Sequence, residues 1–252
     1  SQLQKGFERM SSSVCFSATL QPRGYYKTLM GIDDEADWYS LPSPFLPDNV
    51  CVSIASFIKT SYRARADSVP DVVSLIIDVV RRRKGNYLVF FPSYRYLDMV
   101  YQEMHEADFQ LIRQQRAMDD AAREDFLARF SASNADTLVG FAVMGGVFAE
   151  GIDLKGERLI GAIVVGVGLP QIGIERNLIR DHFGDQGFEF AYQYPGMNRV
   201  LQTSGRVIRD DSDRGIVVLV DQRFAESRYR ELLPDHWQVA ETPSHSALVE
   251  RI

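Results

Sequence analysis

Cysteine is scarce in this chain: Cys15 and Cys51 are its two, far apart and each inside an apolar run. That excludes a disulfide framework and a cysteine-ligated metal cluster, and leads us to expect buried free thiols. Histidine is equally sparse, with four residues at no metal-ligand spacing. No apolar run approaches the roughly 20 residues that span a bilayer, and no leader of the secretory type opens the sequence. The expectation is therefore a cytoplasmic protein that does not meet a membrane. Positive charge is also in deficit, the net charge being −6. A uniformly basic coat is excluded, so any nucleic-acid contact must be a local track of Lys, Arg and backbone amides. The pattern G-x-x-x-x-G-K-[ST] is absent, so nothing here cradles the β- and γ-phosphates of a nucleotide in the usual way. The opening Ser1-Gln2-Leu3-Gln4 lacks an initiator Met, which suits a boundary inside a longer protein.

What is present is an ordinary globular composition, 45% hydrophobic and 25% charged, enough for one large domain or two small ones. Short apolar runs at Val14–Ser17, Val50–Ile54, Tyr87–Phe91, Phe109–Ile112, Thr137–Phe141, Leu159–Val165 and Gly215–Val220 read as strands. Several are continuous rather than alternating, as in parallel strands buried on both faces. Helical patterns lie between them at Pro70–Arg83, Tyr94–Ala107, Asp119–Ser131 and Gly196–Arg209. The first opens on Pro and closes on Arg81-Arg82-Arg83-Lys84, charges that suit a helix C-terminus. Pro42–Pro47 and Ser61–Val69 read as loops, and Glu241–Ile252 as a patternless, frayed tail. Alternating β and α of this kind predicts a wound α/β sheet with its working residues at the carboxyl ends of the strands.

The most informative stretch is Gly196–Arg209. At about 100° per residue, Arg199, Gln202, Arg206 and Arg209 fall within a stripe roughly 80° wide, with Val200, Leu201, Val207 and Ile208 opposite. Crowding Arg206 and Arg209 one turn apart costs helix stability unless an anion faces them. Arginine suits phosphate because its planar fork donates in parallel to two oxygens. A solvated face neutralised by Asp210, Asp211 and Asp213 explains the spacing equally well. The string Gln202-Thr203-Ser204-Gly205-Arg206-Val207-Ile208-Arg209 resembles motif VI of superfamily 2 helicases, Q-x-x-G-R-x-x-R. Asp213-Arg214-Gly215, an apolar run and Asp221-Gln222-Arg223-Phe224 then resemble the close of this domain in the DinG/XPD (Rad3-related) helicases.

Other segments fall in the order that resemblance requires. Ser17-Ala18-Thr19-Leu20 resembles motif III, the coupling element, with Ser17 and Thr19 its polar members. Tyr87–Tyr94 resembles motif IV, where Ser93 suits a DNA phosphate and Tyr94 a stacked base. Gly145-Gly146 through Gly156 is similar to motif V, with a Glu150-Gly151-Ile152-Asp153 core. In the family that motif touches both nucleotide and DNA backbone. Each has a plain structural reading beside it, helix-entry packing for Tyr94 and a simple β–α turn for the glycines. Gly166, Gly168 and Leu169-Pro170 also fit the family's loop at that point. The likeness runs from about Val14 to Trp237. Asp34-Glu35-Ala36-Asp37 spells a motif II string but follows the Ser-Ala-Thr element instead of preceding it, and reads as an exposed acidic loop.

The resemblance implies an α/β RecA-like domain, with a mostly parallel sheet flanked by helices on both faces. It would be the second motor domain of a bacterial ATP-dependent DNA helicase. Residues 1–20 are expected to stand at an edge or to form the closing strand of a first motor domain. ATP and Mg²⁺ would be bound mainly by that first domain. This half would bring Arg206 and Arg209 as catalytic guanidiniums, the latter as arginine finger, with Gln202, Glu150, Gly151 and Asp153 at the nucleotide. Ser93, Tyr94, Gly145 and Gly146 would track DNA. The family's iron–sulfur cysteines belong elsewhere, and no four-Cys set occurs here. Expected partners are the first motor domain and single-stranded or forked DNA, with 5′-to-3′ movement and a monomeric protein implied. Two other readings stay open: an RNA-directed superfamily 2 ATPase, and a non-motor α/β module binding a phosphorylated ligand or partner.

Overall fold

The computed structural model describes the whole chain except Ser1, Asp34, residues 105–107, Glu150 and Gly151. After a short helix α1 (Gln2–Phe7) and α2 (Arg23–Met30), the chain alternates strand and helix. The order is β1 (Val50–Ala55), α3 (Val69–Arg82), β2 (Asn86–Phe91), α4 (Tyr94–Glu103), β3 (Gln110–Arg113), α5 (Asp120–Ala128), β4 (Leu138–Val143) and β5 (Gly161–Val165). Then come α6 (Ile174–Phe183), α7 (Tyr194–Ser204), β6 (Gly215–Val220), α8 (Ser227–Arg230), β7 (Val239–Thr242) and α9 (His245–Arg251). The strands form one seven-stranded sheet in the order β3-β4-β2-β5-β6-β1-β7, every described pair parallel.

The central strands β2, β4, β5 and β6 are buried at every residue. Their apolar residues feed a core on each face of the sheet. On one side Val72, Leu75, Ile76 and Val79 of α3 meet Leu97 and Val100 of α4 and Leu248 of α9. On the other, Phe126 of α5, Met197 and Val200 of α7, Val207 and Phe224 belong to one continuous apolar cluster. At about 25 cal/mol per Å² of apolar surface removed from water, each such side chain contributes about 2 kcal/mol. Continuous apolar strands thus have two covered faces to serve, which is the reason for their lack of alternation.

Three departures from the sequence reading matter. Val14–Ser17 is not a strand: the segment is irregular, and Val14 and Phe16 are 86% and 90% exposed. The C-terminal end is ordered, not frayed: β7 lies against β1, Thr242 donates to the Ile54 carbonyl at 2.9 Å and Leu248 is fully buried. A strand as short and mixed as Val-Ala-Glu-Thr has no period to read. The cysteines are not buried thiols either, Cys15 being exposed and Cys51 half-buried. The acidic stretch is an exposed turn at Glu35 and Asp37, while Asp34 lies outside the described residues.

Candidate functional site: an arginine turn clasped to a glycine loop

The strands run parallel, so the loops after β2, β4, β5 and β6 gather at one edge of the sheet. Ser93 and Tyr94 follow β2, Gly145 and Gly146 follow β4, Gly166 and Gly168 follow β5, and Asp221 follows β6. A single buried amide joins two of these loops. Gln114 donates to the Tyr94 hydroxyl at 3.0 Å and accepts from the Val143 N–H at 2.9 Å. Nothing marks it in the polar run Arg113-Gln114-Gln115-Arg116 beyond its place just after a strand. Tyr94 has one more neighbour, the Arg116 guanidinium 5.1 Å from its ring centre. Ser93 caps α4, accepting from the Tyr96 N–H at 3.4 Å and from Arg65 at 3.5 Å. Arg65 lies over the rings of Tyr62 and Tyr96 at 5.4 and 5.5 Å, and its buried Nε has no partner.

Beside them Asp221, fully buried, is held by Arg223 in a fork of 2.8 and 2.9 Å. Thr60 adds its N–H at 3.1 Å and its hydroxyl. Burial alone would push the Asp221 carboxyl up, but the Arg223 and Thr60 bonds and the Arg223 charge outweigh it, and the carboxyl is held below its ordinary value. Arg223 is correspondingly held protonated against its own burial.

α7 is brought to this edge by glycine. Gly168 has φ 65°, and a Cβ on it would stand 2.6 Å from the Gly196 carbonyl. Backbone thus touches backbone where α7 begins, a contact no larger residue permits. The helix then stops at Ser204, five residues before the expected end of the arginine stripe at Arg209. Arg206 and Arg209 therefore stand on the turn that follows, not on a helical face. The cause is local. The Thr203 and Ser204 hydroxyls donate back to the carbonyls of Arg199 and Val200, the latter at 2.8 Å, and Gly205 follows. Beyond it the Asp213 carboxylate draws the chain around itself. It accepts from the N–H groups of Arg209 at 2.8 Å, Asp210 at 2.9 Å and Gly156 at 3.0 Å.

That carboxylate ties the arginine turn to the loop between β4 and β5, and both guanidiniums complete the clasp. Arg206 Nε donates to the Ala149 carbonyl at 3.0 Å, and an Arg209 amino group donates to the Ile152 carbonyl at 2.7 Å. The loop so gripped is the one that starts at Gly145 and Gly146. Gln202 lies half-buried on the last turns of α7. Asp153 is exposed, its carboxylate 3.7 Å from Lys155 and its carbonyl taken by Arg158. Glu150 and Gly151 lie outside the described residues. Ser17 and Thr19 are not brought to this cluster. They hydrogen-bond each other at 3.3 Å on the exposed N-terminal segment.

Residues 76–240, well over half the chain, match the model of the helicase C-terminal domain. The chain belongs to that family. This helicase C-terminal domain is 28% identical over 230 residues to the ATP-dependent DNA helicase XPD of Sulfolobus acidocaldarius, a match covering 86% of the chain and 40% of the relative. It is 26% identical over 252 residues to the general transcription and DNA repair factor IIH helicase subunit XPD/RAD3 of Saccharomyces cerevisiae, covering 90% of the chain and 32% of the relative. It thus spans about a third to two-fifths of the length of these relatives. A solved XPD helicase superposes with TM-score 0.71 at 21% identity, over 90% of this chain and 42% of that one, which fixes the fold as α/β RecA-like.

Proposed function

We propose that this helicase C-terminal domain is the second motor half of an ATP-dependent DNA helicase and supplies the arginine finger to ATP held by a first motor domain. The observation that carries the reading is the state of Arg209. One amino group is anchored on the Ile152 carbonyl, while Nε is buried without a partner. A buried guanidinium N–H left unmade is costly, and an anion oxygen satisfies it. Asp213, the acidic residue best placed to neutralise the stripe, binds backbone N–H groups instead. This speaks against the non-motor module, in which the domain's own carboxylates would silence the arginines.

In this reading the first motor domain brings the phosphate loop and Mg²⁺. Gln202 and Arg206 face the triphosphate, and Arg209 stabilises the charge that develops on the transferred phosphoryl, worth factors of about 10³–10⁵ in rate. The β4–β5 loop carries the event to DNA, because one end is gripped by Arg206 and Arg209 and the other holds Gly145 and Gly146 beside Ser93 and Tyr94. Ser17 and Thr19 act from the partner's side: Val14 and Phe16 are bare here because the first domain covers them. DNA, not RNA, is favoured by the curated relatives named as DNA helicases. The expected setting is the cytoplasm, and among the described residues no helix is long and apolar enough to cross a membrane. The test is DNA-stimulated ATP turnover by a protein carrying both motor domains. Arg209→Ala lowers it at least a thousandfold (, about three decades) while the variant still folds cooperatively; turnover equal to the parent's refutes the assignment.

A further inference from the structure

Arg199 opens the stripe on α7 but takes no part in the clasp. Its side chain lies along the bare face of Gly145, where a Cβ would meet Arg199 Nε at 3.2 Å, Cδ at 3.4 Å and Cζ at 3.7 Å. Gly145 has φ 69° and is exposed, so the guanidinium is folded over a turn that looks into solvent. Arg176, on the first turn of α6, adds a second positive charge close enough to repel the first, and it donates to the Ala191 carbonyl at 3.3 Å. Burial first, and that repulsion second, make the Arg199 cation less favourable than in water. Among the described residues neither guanidinium has a carboxylate within ion-pair distance.

The helix that carries Arg199 is anchored by neighbouring residues. Asn198 donates to the Tyr26 hydroxyl at 2.8 Å, and Tyr25 packs edge-on to Tyr194 and Phe190 at 5.0 and 5.1 Å. Two like charges, each half-buried, are unfavourable until an anion joins them. The group that suits a guanidinium lying over a bare glycine backbone, with a second positive charge nearby, is a phosphate. We infer that Arg199 and Arg176 form a seat for one phosphodiester of single-stranded DNA at the Gly145–Gly146 turn. This rests on the nucleic-acid reading of that turn given above and adds two side chains to it.

The experiment titrates the 252-residue chain into a labelled oligothymidylate at several salt concentrations, with fluorescence anisotropy as readout. Each phosphate contact on a single strand contributes about 0.7 to the slope of log affinity against log salt. Arg199→Ala is expected to weaken binding roughly three- to tenfold at low salt and to flatten the slope by about 0.7. Arg176→Ala is expected to flatten it less, and Arg199→Lys to keep the slope. Arg82→Ala, at the C-terminal end of α3, is expected to change nothing. A weaker affinity with the parent's slope would mark Arg199 as mere packing and overturn the seat alone. No salt-dependent binding by the parent would overturn the nucleic-acid reading and the seat with it. Where Arg199→Ala lowers the melting temperature, Arg199→Lys and Arg176→Ala decide: loss of affinity with an unchanged slope in Arg176→Ala, or no loss at all, counts against the seat.

Discussion

Two regions of this chain carry helicase-like motifs in opposite physical states. The arginine turn is closed on itself: one buried carboxylate, Asp213, holds three backbone N–H groups, and two guanidiniums take carbonyls of the β4–β5 loop. The N-terminal segment around Ser17 and Thr19 is open, its apolar side chains bare and its two hydroxyls turned to each other. The same chain thus contains a motif that the domain folds by itself and one that it leaves unfinished. On the function proposed above, the difference separates what this domain builds alone from what it builds with a first motor domain.

The largest effect on stability is expected at the closed region. Asp213→Ala strips the acceptor from three N–H groups in a buried site, and hydrogen bonds to a charged acceptor contribute about 1.5–3 kcal/mol each. Allowing for relaxation, unfolding by urea is expected to show a loss of about 3 kcal/mol; a loss under about 1 kcal/mol would mean that the turn does not depend on this carboxylate. A smaller effect, visible only in acid, belongs to Asp221. Its folded-state pKa is depressed, so its contribution is fully present above the ordinary value of 3.8 and is lost as pH falls through the folded value. Asp221→Asn is accordingly expected to unfold at lower denaturant at neutral pH and to show a weaker acid transition below about pH 4. A pH profile parallel to the parent's would break that link. The smallest effect is expected at the open region. Phe16→Ser touches a side chain with nothing over it and should leave the stability of the isolated chain within about 0.5 kcal/mol. In a protein carrying the first motor domain the same change should destabilise, and a loss already present in the isolated chain would show that Phe16 is covered here.

Much of this was legible in the sequence. Six of the strand cores, the helices at residues 70–83 and 119–131 and the loops after β2 and β4 follow from apolar runs bounded by turn residues, and the structure has them within a few positions. Arg206 and Arg209 stand out through the resemblance of Gln202–Arg209 to motif VI, since spacing alone fits a solvated face equally well. Their setting does not, because a helical wheel cannot see that Ser204 and Asp213 compete with the helix for the backbone. Gln114 and Arg65 carry no local pattern because each works through partners far along the chain, and Asp213 reads in the sequence as a neutralising charge where the structure makes it an acceptor for backbone N–H groups. α6 escaped because it buries no residue fully and so shows no apolar stripe of the usual kind.

The claim beneath all of this is that the arginine turn is half of an ATP site. ATP turnover measured on the 252-residue chain alone, and again joined to its first motor domain with single-stranded DNA, tests it most directly. The account predicts no magnesium-dependent hydrolysis from the chain alone and DNA-stimulated turnover from the joined protein. Hydrolysis by the chain alone, or none from the folded joined protein, would contradict it.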